Sequence, residues 1–361
     1  MKRYFVTTIL TEKLIAKHKL SFAACNFSFN LVSGGGFSKV FSILPLYVSG
    51  KIENDAFNDP RFELIYDDSL RAIGGRWTIF AACLEQWRIF KSISKGSSVW
   101  IYNLNTLNAL LVLLLKWFKS SVRVYVIVLD FTPVAKGLGL NTFYLKLINS
   151  VHGAICLANS ELFICKNRIT LPGVVPDDAG SEPLIEVTNK KFLLSGALNE
   201  TISQTSMVLR AFSELSQCEL HITGTIDDDS VICEYAEKYP NIIYHGSVAF
   251  SEYLDIMHGV TFLLSTRNPE ALENKCNFPS KIIESLLHNR VVVSTIDYMQ
   301  LKGLKYFKVE SNVNTFRQQI VDIIHMDETS LLQYANQGKR MVELFNPRVW
   351  NDAMSHIENS K

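Results

Sequence analysis

The sequence lacks the marks of several chemistries. Its seven cysteines, at 25, 83, 156, 165, 218, 233 and 276, include no C-x-x-C pair. An odd, scattered set in so long a chain reads as reduced, mostly buried thiols, and argues against a disulfide scaffold or structural zinc. The eight histidines show no H-x-x-x-H or H-E-x-x-H spacing, which leaves a zinc site without support. No serine sits in a G-x-S-x-G elbow. Neither sign of charge is in excess, since 36 Lys and Arg stand against 35 Asp and Glu for a net +1. No global field draws the chain to nucleic acid, and any anion must be held by a local site. Long apolar runs are also missing. Leu107 to Leu115 is about half of what a membrane span needs. The early run Tyr4 to Leu10 meets Glu12 and Lys13 with no small-residue cleavage site after it. Together these absences suggest a soluble cytoplasmic protein.

What is present is ordinary globular material. The chain has 361 residues, 48% hydrophobic and 20% charged, enough for two domains with a sizeable core. In the first half, residues 21–25, 62–66, 98–102, 122–129 and 154–157 read as short buried strands. Residues 76–93 and 104–119 have helical length and mixed faces. A crowd of breakers, Pro172, Gly173, Pro176, Gly180 and Pro183, then interrupts the rhythm and reads as a linker. The alternation restarts at Phe192 and runs to Val309, with three helical patterns closing the chain at 313–325, 330–345 and 347–358. Strand and helix alternating twice over predict an α/β protein of two tandem Rossmann-like domains, with the ligand in the cleft at the carboxyl ends of the strands. The expected boundaries are 1–175, a linker 176–190, 191–340, and a final helix 341–361.

The strongest local signal is the run Asn274 to Glu284, NKCNFPSKIIE, just after the strand pattern Val260–Ser265. Pro279 suits a first helical turn. At 100° per residue Lys281, Glu284, Ser285 and His288 fall on one arc, opposite Ile282, Ile283, Leu286 and Leu287. A helix start of this kind offers unpaired N–H groups and positive potential to a phosphate, and Lys281 adds a mobile charge. Glu284, a turn deeper, is placed to accept hydrogen bonds from a ribose. An exposed Lys–Glu pair on an ordinary amphipathic helix is the plainer account. In the first half Ser33-Gly34-Gly35-Gly36-Phe37-Ser38 precedes what reads as a helix over 39–44, and glycines there would allow close backbone approach to a ligand.

The run Asn274 to Glu284, with Val291-Val292-Val293-Ser294-Thr295 after it, resembles the donor signature of GT-B glycosyltransferases of the family-4 kind, a PSK..E helix followed by a PVV-(S/T) strand. Ser195-Gly196 resembles that family's opening strand and loop, Ile222-Thr223-Gly224 its I-x-G turn, and Ile243 to Gly246 its V-x-F-x-G strand. Phe345-Asn346-Pro347-Arg348-Val349-Trp350 resembles the last helix, which in that family crosses back to the first domain. The resemblance implies that Lys281 and Ser280 contact the donor diphosphate and Glu284 the ribose, with Gly196 and Asn199 lining the donor loop. It likens Gly34, Gly35 and Gly36 to the loop facing the donor phosphates. Asp130, in Asp130-Phe131-Thr132-Pro133, resembles the family's D-x-x-P acid, which could orient an acceptor hydroxyl or act as base; a turn cap explains it equally.

Two departures stand out. Cys276 occupies the place of the family's first glutamate, and its Arg–Lys pair is absent after Gly196. Arg267 could supply the lost charge, and Asn268 or Asn274 could meet the sugar. The resemblance further implies transfer from a UDP- or GDP-sugar to a glycan or lipid-linked acceptor, with retention, in bacterial surface polysaccharide synthesis, and without cofactor or metal. A 2-epimerase on the same fold and a non-catalytic partner subunit are the competing uses. Asp227-Asp228-Asp229 reads as a solvated helix cap. Leu107–Leu115 with Lys116, Trp117, Phe118, Lys119 and Arg123 reads first as a core helix, second as a peripheral contact with an anionic membrane, to which Lys13, Lys17 and Lys19 would add.

Overall fold

The computed structural model describes residues 2–10, 12–18, 22–50, 52, 59–133, 139–180 and 182–360. Lys19 of the basic N-terminal set lies outside them. The chain divides into two compact units, Met1–Val174 with Phe345–Lys361, and Val175–Leu344.

The first unit begins with strand β1 (Arg3–Thr7), helices α1 (Glu12–Lys17) and α2 (Phe22–Ser33), and strands β2 (Lys39–Ser42) and β3 (Phe62–Leu64). Helices α3 (Asp68–Ile73) and α4 (Arg76–Ser92) follow, then β4 (Ser98–Tyr102), α5 (Ala109–Phe118) and β5 (Arg123–Val128). It continues with α6 (Leu140–Asn149), β6 (Gly153–Cys156) and β7 (Arg168–Thr170). The strands pair in parallel in the order β3-β2-β1-β4-β5-β6-β7. Both faces are covered, so β1 and β4 to β6 are buried nearly throughout, as parallel strands must be.

Two local expectations fail here. Residues 21–25 were expected as a strand, yet from Phe22 onward they belong to α2. Among its described side chains only Asn26 and Ser33 are exposed, because one face lies on the sheet and another on the last helix. A helix buried on two faces shows no polar stripe. Conversely 39–44, expected as helix, holds the buried strand β2.

The second unit runs β8 (Lys191–Ala197), α7 (Thr205–Phe212), β9 (Glu219–Thr225), α8 (Ser230–Lys238), β10 (Ile242–Tyr244), α9 (Phe250–His258) and β11 (Phe262–Ser265). Then come α10 (Leu272–Cys276), α11 (Ser280–Leu287), β12 (Val291–Ser294), β13 (Phe307–Lys308), α12 (Val313–Ile324), α13 (Glu328–Leu332) and α14 (Gly338–Phe345). Its parallel sheet has the order β10-β9-β8-β11-β12-β13. Its core gathers Phe192, Phe212, Phe262 and Phe316 between sheet and helices. The single helix expected over 330–345 is broken between α13 and α14, where Asn336 takes φ +57°. A Cβ on Gly338 would meet the Leu287 carbonyl oxygen at 2.6 Å.

The last helix, α15 (Pro347–Asn359), belongs to the first unit. Asn346 caps it by accepting from the Arg348 and Val349 N–H groups, and Pro347 opens it. Its seat is made by glycines: a Cβ on Gly34 would meet Pro347 Cβ at 2.4 Å, and one on Gly153 would meet Ile357 Cγ2 at 2.5 Å. A buried ion pair pins it. Arg3 donates to Glu358 through Nε (2.9 Å) and Nη2 (2.7 Å), and Trp100 Nε1 donates to the same carboxylate at 2.8 Å.

Candidate donor site

In an open parallel sheet the crevice opens where neighbouring strands send their chains to opposite sides. In the second unit that point lies between β8 and β11. A cavity of about 300 Å3 sits there, lined by Leu194–Ala197, Leu263–Arg267 and the helix start Pro279-Ser280-Lys281. Gly196, Ser280, Lys281 and Arg267 thus meet in one cavity, although they are 85 residues apart in the chain at most (281 minus 196).

Each wall has a local cause. Gly196, the penultimate residue of β8, takes φ +112°, a backbone conformation that an L side chain resists. A Cβ on Gly224, its register partner in β9, would fall 1.9 Å from the Gly196 carbonyl oxygen, so glycine there allows the two strand ends to close up. Helix α11 starts one residue later than the sequence suggests. Pro279 is its N-cap, at φ −75° and ψ 112°, and gives no side-chain cap. The first N–H groups therefore face the cavity without a capping side chain, the arrangement that suits an anion.

Lys281 lies over the Tyr253 ring, Nζ 3.9 Å from its centroid, and 3.9 Å from Glu284 Oε2. Burial pushes its pKa down, and Glu284 only partly restores it. Tyr253, on α9, donates its hydroxyl to Glu284 Oε2 at 3.0 Å. Burial, then the Glu284 charge, raises the Tyr253 pKa, so the phenol remains a donor. Tyr253 was not legible as a site residue: an aromatic on an amphipathic helix reads as core. Ser285, expected on the polar arc, is fully buried instead.

Arg267 follows β11 and donates through Nη1 to Asn274 Oδ1 at 3.1 Å. Asn274 is buried and also donates to the Thr201 and Asn268 carbonyls at 2.7 and 2.9 Å. Its amide is therefore engaged in positioning Arg267 and bracing two loops rather than presented to a sugar. Asn268 is part of the same brace, taking the Glu270 N–H on Oδ1. Asn199 Oδ1 accepts from the Thr201 and Ile202 N–H groups and shapes the turn after β8. None of the three asparagines lines the cavity.

Gly34, Gly35 and Gly36 require correction. They follow α2 and precede β2, with Ser38 N–H donating to the Arg3 carbonyl at the start of β1. That is the amino end of the sheet, away from the edge where a donor loop would lie, and no helix follows them. Gly34 and Gly36 make room for α15 instead, a Cβ on Gly36 falling 2.5 Å from Asn351 Oδ1, while Gly35 faces open space at φ +81°. Asp130 is exposed at the carboxyl end of β5, its N–H meeting Asn103 Oδ1 at 3.3 Å. Asp228 accepts from the Ser230 N–H at the start of α8, in keeping with a solvated cap. In α5, Leu111, Val112 and Leu115 are buried, while Trp117 and Phe118 are about 70% exposed. Lys116 and Lys119 donate to the carbonyls of Ser150 and of Phe90 and Ile93. Among the described residues no helix is long and apolar enough to cross a membrane.

No protein-family model and no curated protein matches the chain. Solved structures do. The N-terminal domain of Candida albicans trehalose-6-phosphate phosphatase superposes with TM-score 0.71 at 13% identity, over 98% of this chain and 97% of that one. An E. coli structure described as trehalose-6-phosphate bound with UDP-2-fluoro glucose gives 0.66 at 10% identity, with both chains fully covered. The UDP-forming α,α-trehalose-phosphate synthase of Burkholderia xenovorans, in complex with glucose-6-phosphate, gives 0.66 at 11%, over 99% of this chain and all of that one. At these identities the likeness establishes the fold, and the chain has the two-domain α/β architecture of GT-B glycosyltransferases.

Proposed function

We propose that the chain is a glycosyltransferase that moves a sugar from a UDP-linked donor to an acceptor hydroxyl. The observation that carries this reading is the cavity at the β8–β11 switch, where a helix start, Lys281 and Arg267 converge. A diphosphate there would meet three positive elements, and such groups accelerate transfer by stabilising charge on the leaving group. Glu284, held by Tyr253, would accept the ribose hydroxyls. The structural neighbour with UDP-2-fluoro glucose and the one with glucose-6-phosphate support a nucleotide-sugar donor and a sugar acceptor. A further neighbour, a trehalose-6-phosphate synthase probed with bisubstrate glycomimetics, carries out glycosyl transfer with retention. We extend that outcome to this chain. In such a step the departing diphosphate takes the acceptor proton, so no enzymic nucleophile is needed. The acceptor we favour is a growing surface glycan, by family resemblance alone. The exposed Trp117 and Phe118 would bring a lipid-linked form of it to the protein at an anionic membrane surface.

Calorimetry with UDP and GDP on the full chain tests the reading. UDP should bind, and Lys281→Ala should weaken it by about 1.5–3 kcal/mol, roughly 10- to 150-fold. Absence of UDP and GDP binding to the native chain would remove its basis. Binding without sugar transfer to any acceptor would favour a non-catalytic subunit.

A further inference from the structure

The helices that carry the donor-site residues meet again at their far ends. His258 is the last residue of α9, and His288 is the C-cap of α11. Their rings meet at a tilt of 53°, His258 Nε2 lying 3.1 Å from His288 Nδ1. Glu182 completes the group, with Oε1 3.5 Å from His288 Nδ1. All three ligand atoms lie within 4.8 Å of one another.

From these side chains the geometry points to a binding site for a divalent transition-metal ion of the zinc class, clamping α9 to α11. Bonds of about 2.0–2.1 Å from a tetrahedral ion place its ligand atoms about 3.3–3.4 Å apart. The two observed separations, 3.1 and 3.5 Å, bracket that edge. Two imidazoles and one carboxylate are a donor set such ions favour, with the fourth position left for water. The site is also held in place from behind. Asn289, beside His288, takes φ +63° and donates its amide to both the Glu182 and Pro183 carbonyls at 3.1 Å. Its Oδ1 accepts from the Gly338 N–H at 2.9 Å. One buried side chain therefore fixes the backbone at Glu182 next to His288. Two helix C-termini also converge here, and their carbonyl ends favour a cation.

Without an ion, two bare nitrogens 3.1 Å apart would repel, so one ring carries its proton between them. Binding an ion displaces that proton from between the rings. The site is about 12 Å along α11 from the phosphate-facing end. Its role is therefore to hold Tyr253 and Glu284 in register, five residues before His258 and four before His288 on their respective helices.

Zn2+ titrated into the full chain should bind at one ion per chain. His258→Ala, His288→Ala and Glu182→Gln should each lower the affinity roughly tenfold or more. His258 is exposed, so its removal leaves the core intact. Co2+ should give the strong visible bands of a four-coordinate ion with no thiolate charge-transfer band. Zn2+ should raise the thermal midpoint of the native chain and not that of His258→Ala. Failure of the native chain to bind Zn2+ saturably, a thiolate band, or equal binding by His258→Ala would each overturn the assignment. These readouts are independent of nucleotide binding, so this inference and the transferase reading fail separately.

Discussion

Removing the Glu358 carboxylate should destabilise the first unit by about 3–5 kcal/mol, the usual cost of breaking a buried ion pair from one side. The carboxylate accepts from Arg3 Nε, Arg3 Nη2 and Trp100 Nε1, and both charged side chains are less than a tenth exposed. In Glu358→Ala, Trp100 Nε1 loses this partner, and Arg3 retains Ser355 Oγ and Asn351 Oδ1 as neutral acceptors. All five tryptophans, Trp77, Trp87, Trp100, Trp117 and Trp350, lie in that unit, so their fluorescence follows its unfolding selectively. With a urea slope of about 2 kcal/mol per M, the midpoint should fall by about 2 M. Replacing both partners, Arg3→Met with Glu358→Met, should cost less than Glu358→Met alone, since the orphaned charge is gone. The pH dependence has a definite sign. Burial pushes the Glu358 carboxyl up, but the hydrogen bonds from Arg3 and Trp100 outweigh it and leave the pKa below the usual range. Its stabilisation is present above the unfolded carboxylate pKa and is lost as pH falls through the lower folded value. Glu358→Gln should flatten that acid-side decline. A midpoint shift below about 0.5 M at unchanged slope would refute the reasoning.

Three further outcomes follow from the second unit. Because burial lowers the Lys281 pKa, nucleotide affinity should decline with rising pH from below the ordinary lysine range, and Lys281→Arg should move the decline upward. A pH-independent affinity between neutral and alkaline conditions would contradict this. Tyr253→Phe keeps the ring beneath Lys281 but frees Glu284, so UDP binding should weaken several-fold. Tyr253→Leu should weaken it further by roughly 0.5–2 kcal/mol, the worth of the cation–π contact. Both are read by calorimetry. Gly224→Ala places a methyl 1.9 Å from a backbone oxygen and forces φ +152° on alanine. It should destabilise by about 1–3 kcal/mol from backbone strain alone, and a melting temperature equal to native would show that the strand ends are not so close.

The second unit was largely readable because its helices bury one face each. Residues 280–287 alternate so that Ile282, Ile283 and Leu286 meet the sheet while Lys281 and Glu284 stay partly exposed. Strands 192–195, 219–223 and 291–294 were expected within two residues of their observed ends. Less visible was how the loops share their polar groups. Nothing in the spacing of Arg267 and Asn274 says that the amide also closes on Thr201, across 73 residues. The pairing of Glu182 with His258 and His288 is hidden in the same way, by separation along the chain.

The first unit resisted for a deeper reason. A helix start that would take a diphosphate constrains adjacent residues, here Pro279, Ser280 and Lys281, with Glu284, the proposed ribose acceptor, one turn on. That constraint is written locally, and so it can be read locally. The seat of α15 uses devices with no such grammar. Gly34 and Gly153 are single missing side chains whose partners, Pro347 and Ile357, stand 313 and 204 positions away (347 minus 34, 357 minus 153). Arg3 and Glu358 pair across 355 positions. In the sequence three consecutive glycines look like a ligand loop because glycine permits close approach, and the inference is sound as far as it goes. At Gly34 and Gly36 what approaches closely is the chain's own last helix. A glycine reports that something comes near; only the fold says what.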